Sequence, residues 1–347
     1  DTGLQDANAD DLADNISTPR GGFANAGEPI YQVAFCAPAS PNVGSCPETP
    51  APPTCNPTSP LALEALVASC GWSDDRAARR LVTRLIRNTP SMPGPATNPV
   101  TAKGGVNVSG NVSVANYFNN LSIWTGETLD TASATGKTFI RKPTLDVPEN
   151  PDFSDPDSWA DYTPPDGEIS ENFNFANCTS ANFICGTQKN VQGPDVIDND
   201  TTLAGITDDD LFRNFFGYDP ATYLDRSVSN EVTSATLDDG TNRAREIIWV
   251  NGDLNGLPDE LGTRTEPVVL IVDGNFNTSG NPILNGVLYV RGDIQGSGTP
   301  VINGALIAEG TVNKSGGNIE VLYDPLAVGI ASRLGDAASV PGTWRDW

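Results

Sequence analysis

"GNFNTSGNPILNGVLYVRGDIQGSGTPVINGALIAEGTV", residues Gly274–Val312, repeats an apolar triplet, a glycine and an asparagine at a fixed beat. Working outward, four segments stack: "IIWVNGDLNG" from Ile247, "VLIVDGNFNTSG" from Val269, "VLYVRGDIQGSG" from Val287 and "ALIAEGTVNKSG" from Ala305. Their glycines, Gly252, Gly274, Gly292 and Gly310, stand 22, 18 and 18 residues apart. A shared period of this length means stacked coils, each a unit that cannot bury its apolar face alone. Neighbouring residues of a strand face opposite ways. One inward column therefore reads Ile248, Leu270, Leu288, Leu306, a second Val250, Val272, Val290, Ala308, and a third Leu254, Phe276, Ile294, Val312.

The opposite face is apolar as well: Ile247, Val269, Val287, Ala305 in one column and Trp249, Ile271, Tyr289, Ile307 in the next. Strands apolar on both sides are covered on both sides. This face is expected to lie under another part of the chain or under a partner. Asn285-Gly286 and Asn303-Gly304 keep the 18-residue step and suit corners that need positive φ, and Ile283, Val301 and Ile319 share it too. Tight glycine turns also fit meandering hairpins, the structural alternative. Earlier, "AKGGVNVSGNVSV" from Ala102 matches "VDGNFNTSGNPIL" from Val272, and "LSIWTGETLD" from Leu121 continues the beat. Both halves are expected in one sheet or coil, split by an insertion from about Arg141 to Arg245. The expected parts are 1–98 (helix stump, cysteine-rich loop and hairpin), 99–330 (repeat domain) and 331–347 (tail).

The rest of the composition agrees with a β-rich chain of few short helices and long loops. Its 347 residues hold 34 Gly and 28 Pro, and 38% are hydrophobic. With 20 basic and 44 acidic residues the formal charge is -24, which repels nucleic-acid phosphates and anionic lipid. No apolar run reaches the roughly 18 residues of a membrane helix, and the first residue, Asp1, implies that a leader and anchor have been removed. Six cysteines without a CxxC pair read as disulfides of an oxidising compartment: Cys178 with Cys185, and by proximity Cys36 with Cys46 and Cys55 with Cys70.

No histidine occurs, so a Ser-His-Asp or Cys-His device and a histidine metal site are excluded. A pair of carboxylates could serve a glycosidase, but the row Asn251, Asp273, Arg291, Glu309, expected on the surface, mixes charges and amides. No catalytic residue is assigned. Calcium is the one cofactor to weigh, at Asp195, Asp198 and Asp200 or in "DANADD" from Asp6, although neither stretch has the EF-hand glycine or terminal glutamate. Elsewhere, "TDDDLFRNFFGYDP" from Thr207 reads as a capped short helix, stopped by Gly217 and Pro220, and a candidate cover for the apolar face. "LALEALVASCGWSDDRAARRLVTRLIRN" from Leu61 is two helices by propensity or one hairpin by its polar turn.

Two phrases carry a resemblance. "DTGLQDANADDLADN" at the start resembles the segment after the membrane-spanning half of a type IV pilin helix, and "VASCGWSDDRAARRLVTRLI" is similar to the "S-x-G-x-S-D-D-x-x-A-x-R-x-V" phrase of PilX-like minor pilins. "DDDLFRNFFG" and the Gly-Asn repeats also resemble the C-terminal region of large PilX-like pilus assembly proteins. The resemblance implies strands at the second phrase, hence the hairpin. It implies a non-enzymatic minor pilin anchored by its missing N-terminal helix, exported to the periplasm and cell surface. Its partners would be other minor pilins, the major pilin and a large tip adhesin, with Leu4, Ala7 and Leu12 at the filament interface. The rivals are a secreted β-helix that binds or cleaves polysaccharide, which requires Trp249 and Tyr289 open to solvent, and a calcium-dependent surface adhesin.

Overall fold

The structure, a computed structural model, describes residues 30–38, 43, 46–49, 51–56, 64–73, 78–108, 111–116, 118–130, 137–141, 183–237, 243–314, 317–335, 337–339 and 345–346. It is mainly β with a few short helices and divides into two compact units, 1–89 with 335–347, and 90–334.

The first unit is an antiparallel sheet of Ile30–Cys36, Glu64–Trp72 and Arg79–Asn88, and Ala337–Ser339 and Arg345–Asp346 pair with the third strand. Within the 61–88 stretch, Glu64–Trp72 and Arg79–Asn88 thus pair as antiparallel strands despite their Ala, Leu and Arg. Period-two alternation puts Ala68, Cys70 and Trp72 on one face with Ala34, Cys36 and Leu81, a buried cluster that a helix could not assemble. On that face the disulfides are Cys36–Cys55 and Cys46–Cys70, correcting the pairing by proximity. Two contacts explain the crossing. The Ala37 amide donates to the Asn56 carbonyl (2.8 Å), laying Cys55 against the end of the first strand. The Trp72 indole donates to the Pro47 carbonyl (3.0 Å), holding Cys46 beside Cys70. Cys185 is disulfide-bonded, whereas Cys178 lies outside the described residues.

The second unit stacks short parallel strands in three rows. The first row runs Asn230–Val232, Ile247–Val250, Val268–Val272, the second halves of Ile283–Val290 and Val301–Ala308, then Val100–Ala102, Ile123–Thr125 and Val196–Ile197. The second runs Leu254–Asn255, Phe276–Thr278, Ile294–Gly296, Val312–Lys314, Val106–Val108 and Leu129–Asp130. The third runs Glu260–Leu261, the first halves of the two long strands, Asn318–Leu322, Asn111–Asn116 and Lys137–Arg141, ending on antiparallel Phe183–Cys185. In the first row, residue pairs fall in the columns read from the repeat: Ile248, Leu270, Leu288 and Leu306 stack, followed by Val100 and Ile123. These side chains join Val250, Val272, Val290, Phe276, Ile294 and Val312 in one buried core.

The order of the stacked strands is set by their pairing. The last repeat, around Gly310, seats on the early segment around Gly104: the Gly104 amide donates to the Gly310 carbonyl (3.1 Å), and that of Lys103 to the Ala308 carbonyl (2.9 Å). The chain thus enters mid-stack and runs toward one end through residues 123–130, where Val196–Ile197 adds the last strand of the first row, and the insertion then carries it to the other end at Asn230–Val232 and Ile247–Val250. One expected alignment slips. Val301 pairs with Glu320, a step of 19, not with Ile319. At a step of 18 the Glu320 carboxylate would take the inward column of Leu284 and Ile302; the slip puts Val321 there.

Each Asn-Gly pair lies inside a long strand and bends it from the third row into the first. Gly286 and Gly304 have φ of 132° and 144°, and a Cβ on Gly304 would stand 1.9 Å from the Gly286 carbonyl oxygen, so glycine is required there. Asn303 donates its side-chain amide to Asn285 Oδ1 (2.9 Å), which donates its own to the Gly262 carbonyl (3.0 Å), a buried ladder that pins successive bends together.

Candidate interaction surfaces

The apolar second face of the first row brings together Ile247, Trp249, Val269, Ile271, Val287, Tyr289 and Ile307, and the chain itself covers them. The cover is the helix Asp208–Phe216 with Phe212 and Phe216, the helix Pro220–Ser227 with Tyr223, the helix Pro325–Ala331 with Val328 and Ala331, and Met92, Ala96 and Tyr323. Thr207 caps the first of these, its side chain accepting from the Asp210 amide, and Gly217 closes it in the left-handed conformation. Pro220, expected to mark the stop, opens the next helix instead, where a missing N–H costs nothing. Phe212 meets Tyr289 edge-on at 5.2 Å and Trp249 at 6.0 Å. Trp249 and Tyr289 are therefore buried and offer no platform to a sugar ring.

Beside this cover lies an ionic cluster. Glu309, expected on the surface, is buried: Tyr289 Oη donates to its Oε1 (2.9 Å), and Arg291 Nε reaches the same oxygen (3.4 Å). Arg291 also donates to Asp273 (2.7 Å) and to Asp209 at the start of the covering helix (3.2 Å), while Lys103 pairs with Asp208. Burial pushes the Glu309 carboxyl up to about 7, against the opposing charge of Arg291. Burial alone would lower Arg291, but the Glu309 charge and the Asp273 hydrogen bond outweigh it and raise it. Chemically this is an anchor for the covering helix, not an acid–base pair facing a cleft.

Two solvent-facing surfaces were not anticipated. In the first unit, the face opposite the disulfides presents Tyr31, Val33 and Phe35 beside Val67 and Val82, all half-buried or exposed, with Arg80 and Arg84 among them. Alternation in "IYQVAFC" carried that signal. In the second unit, the outward column of the second row reads Asn255, Asn277, Gln295, Asn313, Asn107 and Asp130. Its signal was an apolar–amide dipeptide recurring two residues after each glycine. Alongside, Asp253 Oδ1 accepts from the Asn275 amide, Asn275 Oδ1 from the Asp293 amide and Asp293 Oδ1 from the Thr311 amide, each at 2.7 to 2.9 Å.

The acidic residues weighed for calcium are dispersed. Asp195 is buried against Gly186 and Gly193 and accepts from Thr187 Oγ1 (3.1 Å). Asp198 accepts from Gln192, and Asp200 caps the helix Thr201–Gly205 and accepts from the Trp124 indole, which holds its carboxyl below the ordinary value. Among the described residues no group of three or more His, Cys, Asp or Glu is placed to hold a metal. Leu4, Ala7, Leu12 and the "DANADD" stretch lie outside the described residues, and no described helix is long and apolar enough to cross a membrane.

Residues 253–318 match a family described as a domain of unknown function, DUF8470, which covers the heart of the repeat. No curated protein and no solved structure matches the chain.

Proposed function

We propose that this chain is the head of a PilX-like minor pilin, a non-enzymatic component of a type IV pilus. In this reading its stacked coils form a β-solenoid, a stiff spacer, and its antiparallel sheet joins the filament. The observation that supports it is the hairpin Glu64–Trp72 and Arg79–Asn88: strands form at the phrase for which the pilin resemblance implies strands, against helix propensity. One face of the sheet that this hairpin forms with Ile30–Cys36 is fixed by the disulfides, and the other presents Tyr31, Val33, Phe35, Val67 and Val82 for a helix or neighbouring subunit. The partners in this reading are other minor pilins, the major pilin and a large tip adhesin, reached in the periplasm and at the cell surface. Membrane attachment belongs to a helix preceding Asp1.

The test is made on the full-length gene product in its native cells. The reading expects a short basic leader and an apolar helix of about 20 residues upstream of Asp1, and recovery of the protein with sheared pili. An ordinary secretion signal together with absence from the pilus fraction refutes it.

A further inference from the structure

The outward column Asn255, Asn277, Gln295, Asn313, Asn107 and Asp130 has no counterpart in the proposed pilin role. We infer that this face of the stack binds an uncharged, hydroxyl-rich polysaccharide laid along the stacking axis. The three rows differ in how they are used. The first is covered by helices, the third is buried or half-buried on its outer side, as at Asn285, Asn303, Leu322 and Phe139, and the second presents its column to solvent, with Asn255, Gln295, Asn313 and Asn107 exposed.

Five consecutive positions carry a carboxamide. Parallel in-register pairing spaces them by about 4.8 Å, so the six-position column extends about 24 Å, several sugar rings end to end. Asn277 donates to Asn255 Oδ1 (2.9 Å). The amides of Gln295, Asn313 and Asn107 make no hydrogen bond to a described residue, so each keeps two donors and an acceptor for a ligand. The strands beneath are fixed by the Asp253–Asn275–Asp293–Thr311 ladder and by the core, so the array is ordered before anything binds.

Amides suit sugar hydroxyls, which both donate and accept. Charge selects the class: exposed Asp253 and Asp293 flank the column, and the chain carries -24 overall, so a polyanionic glycan is repelled. Each rung contributes weakly, and affinity accumulates over several rungs on one polymer.

The test is retention of the whole chain on insoluble cellulose and chitin, with alginate as the acidic comparison. The triple variant Asn107→Ala, Gln295→Ala, Asn313→Ala removes the free amides, and the exposed pair Val191→Ala, Ile197→Ala controls for surface change elsewhere. Retention by at least one neutral polymer, at least tenfold weaker for the triple variant and unchanged for the control, is expected. The isosteric variant Gln295→Glu, Asn313→Asp keeps shape and fold, and is expected to weaken retention by charge. Failure to bind either neutral polymer, retention unaffected by both variants, or preference for alginate overturns the inference.

Discussion

A side chain on Gly304 would enter the carbonyl of Gly286 on the neighbouring strand, and the positive φ adds strain of its own. Gly304→Ala is therefore expected to cost about 2 kcal/mol or more, read as a lower urea midpoint. Gly205, which ends the helix Thr201–Gly205 with no atom within 4 Å of an added Cβ, is the contrast. Gly205→Ala should be neutral or stabilising by up to about 1 kcal/mol. Glu309 gives a pH dependence. Its folded carboxyl, at about 7, holds a proton more tightly than the ordinary value of 4.5, so its contribution to stability is complete below 4.5 and is lost as pH rises through about 7. Between pH 5 and 8 the wild type should lose more stability than Glu309→Gln in denaturant titrations, and equal losses would contradict this assignment. Burial of Glu309 was not legible in the row Asn251, Asp273, Arg291, Glu309, because Arg291, which pairs with it, is itself held by Asp209 of a helix 82 residues away in sequence.

At the scale of elements, the inward columns and the capped helix Asp208–Phe216 could be read directly, since each has a local signature: a fixed step, an alternation, a cap. Pairings that depend on loop paths could not. Cys36 finds Cys55 because a backbone bond at Ala37 aligns two proline-rich segments, and no spacing encodes that. The slip at Val301 and Glu320 escaped for a similar reason: an 18-residue step looks continuous until the face on which a carboxylate would land is considered. Phe212 carries the clearest elemental prediction. It is fully buried and touches Phe216, Tyr223, Trp249 and Tyr289. Phe212→Ala should cost about 3–5 kcal/mol and diminish the near-ultraviolet circular dichroism of the aromatic cluster. Little change in either would mean that the helix is not the cover of this face.

For the whole molecule, the sequence made plain that two runs of glycine-asparagine repeats belong together, but not which coil seats on which. "AKGGVNVSG" resembles "VDGNFNTSG" about as well as any other repeat, because every coil needs the same corner glycines and the same inward apolar positions. Similarity among repeats therefore says nothing of their order, which is set by the insertion carrying the chain back to the far end of the stack. In the structure residues 312–314 lie beside 106–108, so Asn313 is the neighbour of Asn107, while Asn277 is three strands away along the same row. Neighbouring parallel strands lie about 4.8 Å apart, within disulfide reach, and three strands apart is far beyond it. The direct measurement is oxidative cross-linking of two double variants, Asn107→Cys with Asn313→Cys and Asn107→Cys with Asn277→Cys, read by peptide mapping without reduction. A continuous strand stack in which Val312–Lys314 lies beside Val106–Val108 predicts rapid, near-complete linkage of 107 to 313 and none of 107 to 277. Linkage of 107 to 277, or none in either variant, would contradict it.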